Sequence, residues 1–148
     1  MNATLDKFGW PATLVAEFDH WVVLARPAQP TLGSLVLAAK SEATAFGALD
    51  PAAHAELARV TAAIEAALAS AVRYAKLNYL MLMMVDPHVH FHVIPRYEGA
   101  REWPKGENGA REFVDVGWPK VPDLAHAVAL EGADLAALTA WLKAAFGG

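Results

Sequence analysis

The sequence predicts an α+β fold, an antiparallel sheet with one long helix after the first hairpin and a second helix at the C-terminus. Three observations carry this expectation. Apolar, largely β-branched or long side chains run continuously at 20–25, 34–39 and 78–85. Residues 88–94 alternate strictly between histidine and apolar residues until the last position. Between the second and third runs, apolar residues return every three or four positions. A period of two marks a strand and a period near 3.6 marks a helix.

The elements follow in chain order. Residues 20–25 (HWVVLA) read as a buried strand. Two prolines and a glycine, Pro27, Pro30 and Gly33, punctuate the connection after it. Residues 34–39 (SLVLAA) return as a second strand, closing a hairpin. Asp50-Pro51 is a helix start, because the carboxylate accepts from free backbone N–H groups and proline fits the first helical position. Leu57, Val60, Ile64, Leu68 and Val72 then lie on one face of a helix over 51–74. Residues 78–85 (NYLMLMMV) form a third strand, Asp86-Pro87 a tight connection, and 88–94 a fourth strand that Pro95 and Arg96 end. The stretch 98–112 is polar and carries Gly99, Pro104, Gly106 and Gly109, so it reads as a loop. A short strand at 113–116 follows, and a helix over 134–146 presents Leu135, Leu138, Trp141 or Leu142, and Phe146 on one face.

Size and charge bound the function. At 148 residues, one domain over 1–148 is expected, long enough to bury a core without metal or disulfide staples. The net charge of −4 argues against a broad nucleic-acid or anionic-membrane surface, which would need a basic face. With no cysteines, thiol chemistry and thiolate zinc sites are excluded. The N-terminus lacks the apolar core of a signal peptide, and the longest apolar run is too short for a membrane span, so a cytoplasmic location is expected.

The chemistry concentrates in the fourth strand. His88, His90 and His92 are two residues apart, so strand geometry places them on one face, with Val89, Phe91 and Val93 on the other. At roughly 3.3 Å per residue, the outer pair is about 13 Å apart. That span suits a polyphosphate lying along the strand better than a single metal ion. An unprotonated imidazole is a nucleophile near neutral pH, and a protonated one donates to phosphate oxygens. Two of the three with an outside ligand would make a zinc site, which keeps a metal-binding protein as a further reading. Arg96, just past the strand, is placed to reach phosphate or to pair with a carboxylate. Trp10, Trp103 and Trp118 flank prolines or glycines, where they stack on a base or pack in a core or dimer interface.

Residues His88-Val89-His90-Phe91-His92-Val93-Ile94, followed by Pro95-Arg96, resemble the signature of the histidine triad family. Lys76-Leu77-Asn78-Tyr79, the Val85 and Pro87 before the triad, and the hairpin-then-helix order are similar to its bacterial hydrolase branch. The resemblance covers about 15–97 and leaves 98–148 as a C-terminal extension. It implies an α+β homodimer that binds nucleotides and cleaves at the α-phosphate of a dinucleoside polyphosphate or nucleoside phosphoramidate. By the same resemblance, His90 attacks phosphorus to give a nucleotidyl-histidine. His92 and His88 hold phosphate oxygens and help a proton reach the leaving group, and Arg96 joins the phosphate contacts. No resident cofactor is implied beyond a divalent cation carried with the nucleotide's phosphates. Two places depart from the family pattern. Met83-Met84-Val85-Asp86-Pro87 has no glycine, amide or hydroxyl and adds a negative charge at Asp86, and Ala25 cannot bind ribose hydroxyls. These departures favour an alternative: a nucleotide- or phosphate-binding protein with weak or no turnover.

Overall fold

The computed structural model describes residues 2–103 and 111–147. Its centre is a five-stranded antiparallel sheet. The strands are β1 (Leu14–Glu17), β2 (Trp21–Ala25), β4 (Leu35–Ala39), β6 (His90–Arg96) and β5 (Lys76–Leu80), in that spatial order. A short β3 (Ala28–Gln29) lies in the β2–β4 connection. Helix α1 (Ala3–Lys7) precedes the sheet, α2 (Pro51–Val72) follows β4, and α3 (Gly132–Ala145) ends the chain.

Alternation sorts the side chains into two layers. Trp21, Val23, Ala25, Leu35, Leu37, Ala39 and Val93 face one side, where Val60, Ile64 and Leu68 of α2 and Leu138 and Leu142 of α3 pack on them. Val22, Leu24, Val36 and Ala38 face the other side, covered by Leu5 and the half-buried Phe8, Trp10 and Leu14. Every residue of β2 and β4 is therefore buried, which explains their continuous apolar runs. Both long helices thus lie on the face opposite His90 and His92.

Helix α2 starts as its sequence dictates. The Asp50 carboxylate accepts from the Ala52 N–H at 2.9 Å, and Pro51 takes the first position. It ends at Arg73, whose left-handed φ of 50° turns the chain toward β5. Gly33 has φ +96°, and a Cβ there would come within 3.3 Å of Leu68 and Val72, so the turn into β4 fits under α2 only with glycine.

Three expectations need correction. The third strand stops at Leu80 instead of reaching residue 85, because Met83 takes φ 50° and the chain turns away from the sheet. The fourth strand runs from His90 through Arg96, so His88 precedes it, and Pro95 and Arg96 belong to it. Pro95 lies beyond the last β4–β6 pair, Leu35–Val93, so no ladder donor is needed on that side. The stretch 98–112 contains strand structure: β7 (Ala100–Trp103) pairs with β8 (Arg111–Val114). Fully buried Trp103 and nearly buried Phe113 join the main core and hold this polar hairpin to it. Pro104, Gly106 and Gly109 of the expected loop lie outside the described residues.

Two described segments after residue 97 pack back on the rest of the chain. β9 (Val128–Ala129) pairs with β3, and the Arg101 guanidinium donates to the carbonyls of Val72 and Arg73 at the end of α2.

Candidate active site

β6 lies between β4 and β5, which places its side chains at the middle of the sheet. His90 sits opposite Ala38, and His92 opposite Val36. These small neighbours leave the imidazoles room on the face away from α2. The two rings meet nearly at right angles, with centroids 5.2 Å apart. Phe8, just after α1, covers both with its ring centroid 5.8 Å from each. His90 is consequently 1% exposed and His92 9% exposed.

Hydrogen bonds hold each ring differently. His90 Nδ1 lies 2.7 Å from the backbone carbonyl of His88. A carbonyl only accepts, so Nδ1 carries a proton, and in the neutral ring Nε2 keeps a free lone pair. His92 Nδ1 faces the Arg26 Nε–H at 3.2 Å. Burial lowers the His92 pKa to about 4, and the Arg26 and His90 charges push the same way.

His88 stands apart from this pair. Its Nδ1 is 2.9 Å from Thr4 Oγ1, and its Nε2 is 3.4 Å from the Glu42 carboxylate. Three imidazoles in one strand row were expected; the strand row holds two, and the third contributes its backbone carbonyl to His90.

Arg96 is at the far end of β6 and is not brought to the histidines. Its guanidinium makes a two-pronged pair with Asp115, at 2.7 and 3.1 Å, and donates to Asn78 Oδ1 at 2.9 Å. It lines a separate groove of about 650 Å³ between β5 and residues 118–122. The carboxylate partner that the sequence allowed is therefore present.

A pocket of about 310 Å³ opens beside the histidine pair, at the small end of ligand sites. Lys7 and Phe8 wall one side, Arg26 another, and residues 82–86 the rim. The expected negative charge at Asp86 is offset, because Asp86 pairs with Lys7 at 3.0 Å. Met84 and Val85 on the rim are exposed. Ala25 is fully buried in β2 and offers the pocket no polar atom. Of the tryptophans, Trp10 packs on the Val22–Leu24 face, Trp103 is core, and Trp118 lines the groove beside Arg96. Among the described residues, no three His, Cys, Asp or Glu side chains group as a metal ligand set.

Sequence reasoning missed Lys7, Phe8 and Arg26. Arg26 had a usable signal, since Val22, Leu24 and Arg26 share one parity and hence the histidines' face. Lys7 and Phe8 had none, because nothing local ties a five-residue helix to a strand more than eighty positions later.

Several solved structures share this fold. A hypothetical histidine triad nucleotide-binding protein from Sulfolobus tokodaii superposes with TM-score 0.65 at 19% identity, over 91% of this chain and 83% of that one. A histidine triad protein from Bradyrhizobium japonicum gives 0.65 at 19%, over 97% and 95%. A zinc-bound histidine triad family protein from Mycobacterium smegmatis gives 0.61 at 16%, over 97% and 90%. No curated protein matches the sequence. The sequence pattern of the HIT domain matches residues 8–99, more than half of the chain, and the protein belongs to the HIT family of nucleotide-binding hydrolases and transferases.

Proposed function

We propose that this protein is a nucleotide hydrolase or transferase that cleaves at the α-phosphate through a covalent intermediate on His90. One observation carries the reading: the 2.7 Å contact from His90 Nδ1 to the His88 carbonyl, which leaves Nε2 as a lone-pair donor beside a pocket. In the first step the Nε2 lone pair forms a bond to phosphorus, and the bond from phosphorus to the leaving oxygen or nitrogen breaks. The leaving group departs with its electron pair and takes up a proton from solvent. The His88 carbonyl, accepting from Nδ1–H, favours the positive ring that this step creates. In the second step water attacks phosphorus and releases a proton to solvent, the nitrogen–phosphorus bond breaks, and nucleoside monophosphate leaves with His90 restored. His92, whose ring is 5.2 Å from that of His90, is the donor assigned to the phosphate oxygens, with Arg26 beside it.

The substrates that fit this chemistry are nucleoside phosphoramidates and dinucleoside polyphosphates. Protein groups alone carry the steps as drawn; a divalent cation accompanying the phosphates would belong to the substrate. The proposal includes a homodimer and a cytoplasmic location. β5 is an edge strand of the main sheet, open to pairing with a second copy, and no described helix is long and apolar enough to cross a membrane.

The binding-only alternative has its own support, since His90 is nearly inaccessible beneath Phe8. Incubation with an adenosine phosphoramidate and with a diadenosine polyphosphate separates the two. The enzyme reading expects turnover that His90→Ala lowers by several orders of magnitude. Equal turnover by both proteins refutes the role of His90, and tight nucleotide binding without turnover favours the alternative.

A further inference from the structure

We propose that Arg26 is a positioning residue that holds the His92 ring in the tautomer protonated on Nε2, so that His92 meets substrate as a neutral hydrogen-bond donor. The inference deepens the proposed function and rests on it for its catalytic meaning.

Arg26 is an unusual cation among the side chains lining the pocket. Arg26 is half-buried in the connection after β2, and among the described residues no carboxylate pairs with it. Burial without an anion disfavours the charged guanidinium, so the position costs stability. The local turn does not require it: the Ala28 carbonyl that accepts from Nη1 at 2.5 Å needs a donor, not a buried cation. That same bond fixes the guanidinium plane and directs Nε–H at His92 Nδ1, 3.2 Å away. Arginine has no acceptor and does not release its proton at ordinary pH. Nδ1 must therefore supply the lone pair, and the ring proton is on Nε2. His92 lines the pocket, so Nε2–H is the donor it can offer there.

The two histidines then carry opposite tautomers. The His88 carbonyl puts the His90 proton on Nδ1, leaving Nε2 to attack. Arg26 puts the His92 proton on Nε2, leaving it to donate. In their neutral forms, neighbouring rings thus divide the roles of nucleophile and donor. The charged or titratable groups around His92 are Arg26, His90, Asp86 and Lys7, and Asp86 alone favours its protonation. Arg26 also discourages a second ring proton, both by its charge and by occupying the Nδ1 lone pair.

The test reads the ring directly. Long-range proton–nitrogen correlation spectra of the 15N-labelled full chain report the tautomer of each imidazole, with His92 assigned through His92→Gln. At pH 7 the expected His92 signature is a lone-pair Nδ1 and a protonated Nε2, retained down to pH 5. In Arg26→Met, the Nδ1 signal should lose its hydrogen-bond shift and the ring should titrate at least one unit higher. Arg26→Lys, which keeps a donor and a charge, should fall between the two. A wild-type ring protonated on Nδ1 overturns the proposal without any variant, and so does an unchanged Nδ1 shift and titration in folded Arg26→Met.

With an adenosine phosphoramidate as substrate, Arg26→Met should lower kcat about tenfold to a hundredfold, within the roughly 10²–10⁴ that a placed donor supplies, while KM moves less. An unchanged kcat overturns the catalytic part. If the tautomer is as expected but neither protein turns over nucleotide, the proposed function fails and the control of His92 by Arg26 stands.

Discussion

Lowering the pH from 7 to 5 weakens this fold through His92, and the size of the effect follows from its burial. The ring is 9% exposed, lies under Phe8, and faces two cationic side chains, Arg26 and Lys7. These surroundings lower its pKa from the ordinary 6.5 to about 4. Between those values the unfolded chain binds a proton that the folded chain refuses. Stability therefore rises with pH across this window, is fully restored above about 6.5, and is lost as pH falls toward 4. At about 1.4 kcal/mol per unit, the loss reaches about 2 kcal/mol at pH 5. Urea unfolding at half-unit steps from pH 7.5 to 5, on wild type and His92→Gln, measures it. The remaining histidines are common to both proteins and cancel in the difference, and most carboxylates titrate below the window. The expected result is a difference in unfolding free energy that changes by about 2 kcal/mol between pH 7 and 5. A flat difference would show that His92 is as easily protonated in the folded chain as in water, and would refute the account of a dry, cation-flanked ring.

Other outcomes follow from the same geometry. Asp115→Ala should cost about 3–5 kcal/mol in urea unfolding, because it strands the guanidinium of Arg96, itself 3% exposed. Nucleotide turnover by its folded fraction should change less than about twofold, since Arg96 lines a different cavity; a large loss of kcat would return Arg96 to the phosphate site. Phe8→Ala should uncover both rings, raising the His92 titration midpoint and speeding acylation of His90 by diethyl pyrocarbonate. The stability cost should be about 1–3 kcal/mol, less than for a fully buried phenylalanine. Unchanged acylation and titration would mean that Phe8 does not control access.

Much of the architecture was legible because it rests on local periodicity. The runs at β2 and β4, the Asp50-Pro51 start of α2 and the stripe from Val60 to Val72 all reappear where the pattern put them. The misreadings share a different cause. NYLMLMMV looks like one strand, yet the left-handed backbone at Met83 turns its second half into the pocket rim. The polar hairpin of β7 and β8 was hidden because each described strand buries a single side chain, Trp103 and Phe113. β3 and β9 pair across about a hundred residues, which no local pattern records. At the site, alternation correctly put His90 and His92 on one face. It could not show that His88 falls before the strand and is held by Thr4 and Glu42. Nor could it show Phe8 and Lys7 over the pocket, since tertiary packing alone brings them there.

The covalent intermediate is the heart of the account, and intact-mass spectrometry tests it directly. Mixing the protein with excess nucleoside phosphoramidate, then quenching in alkali to preserve a phosphorus–nitrogen bond, should add the mass of one nucleotidyl group. Peptide mapping should place the group on His90, and His90→Ala should remain unlabelled. Turnover accompanied by label on a different residue would contradict the assignment of His90 as the nucleophile.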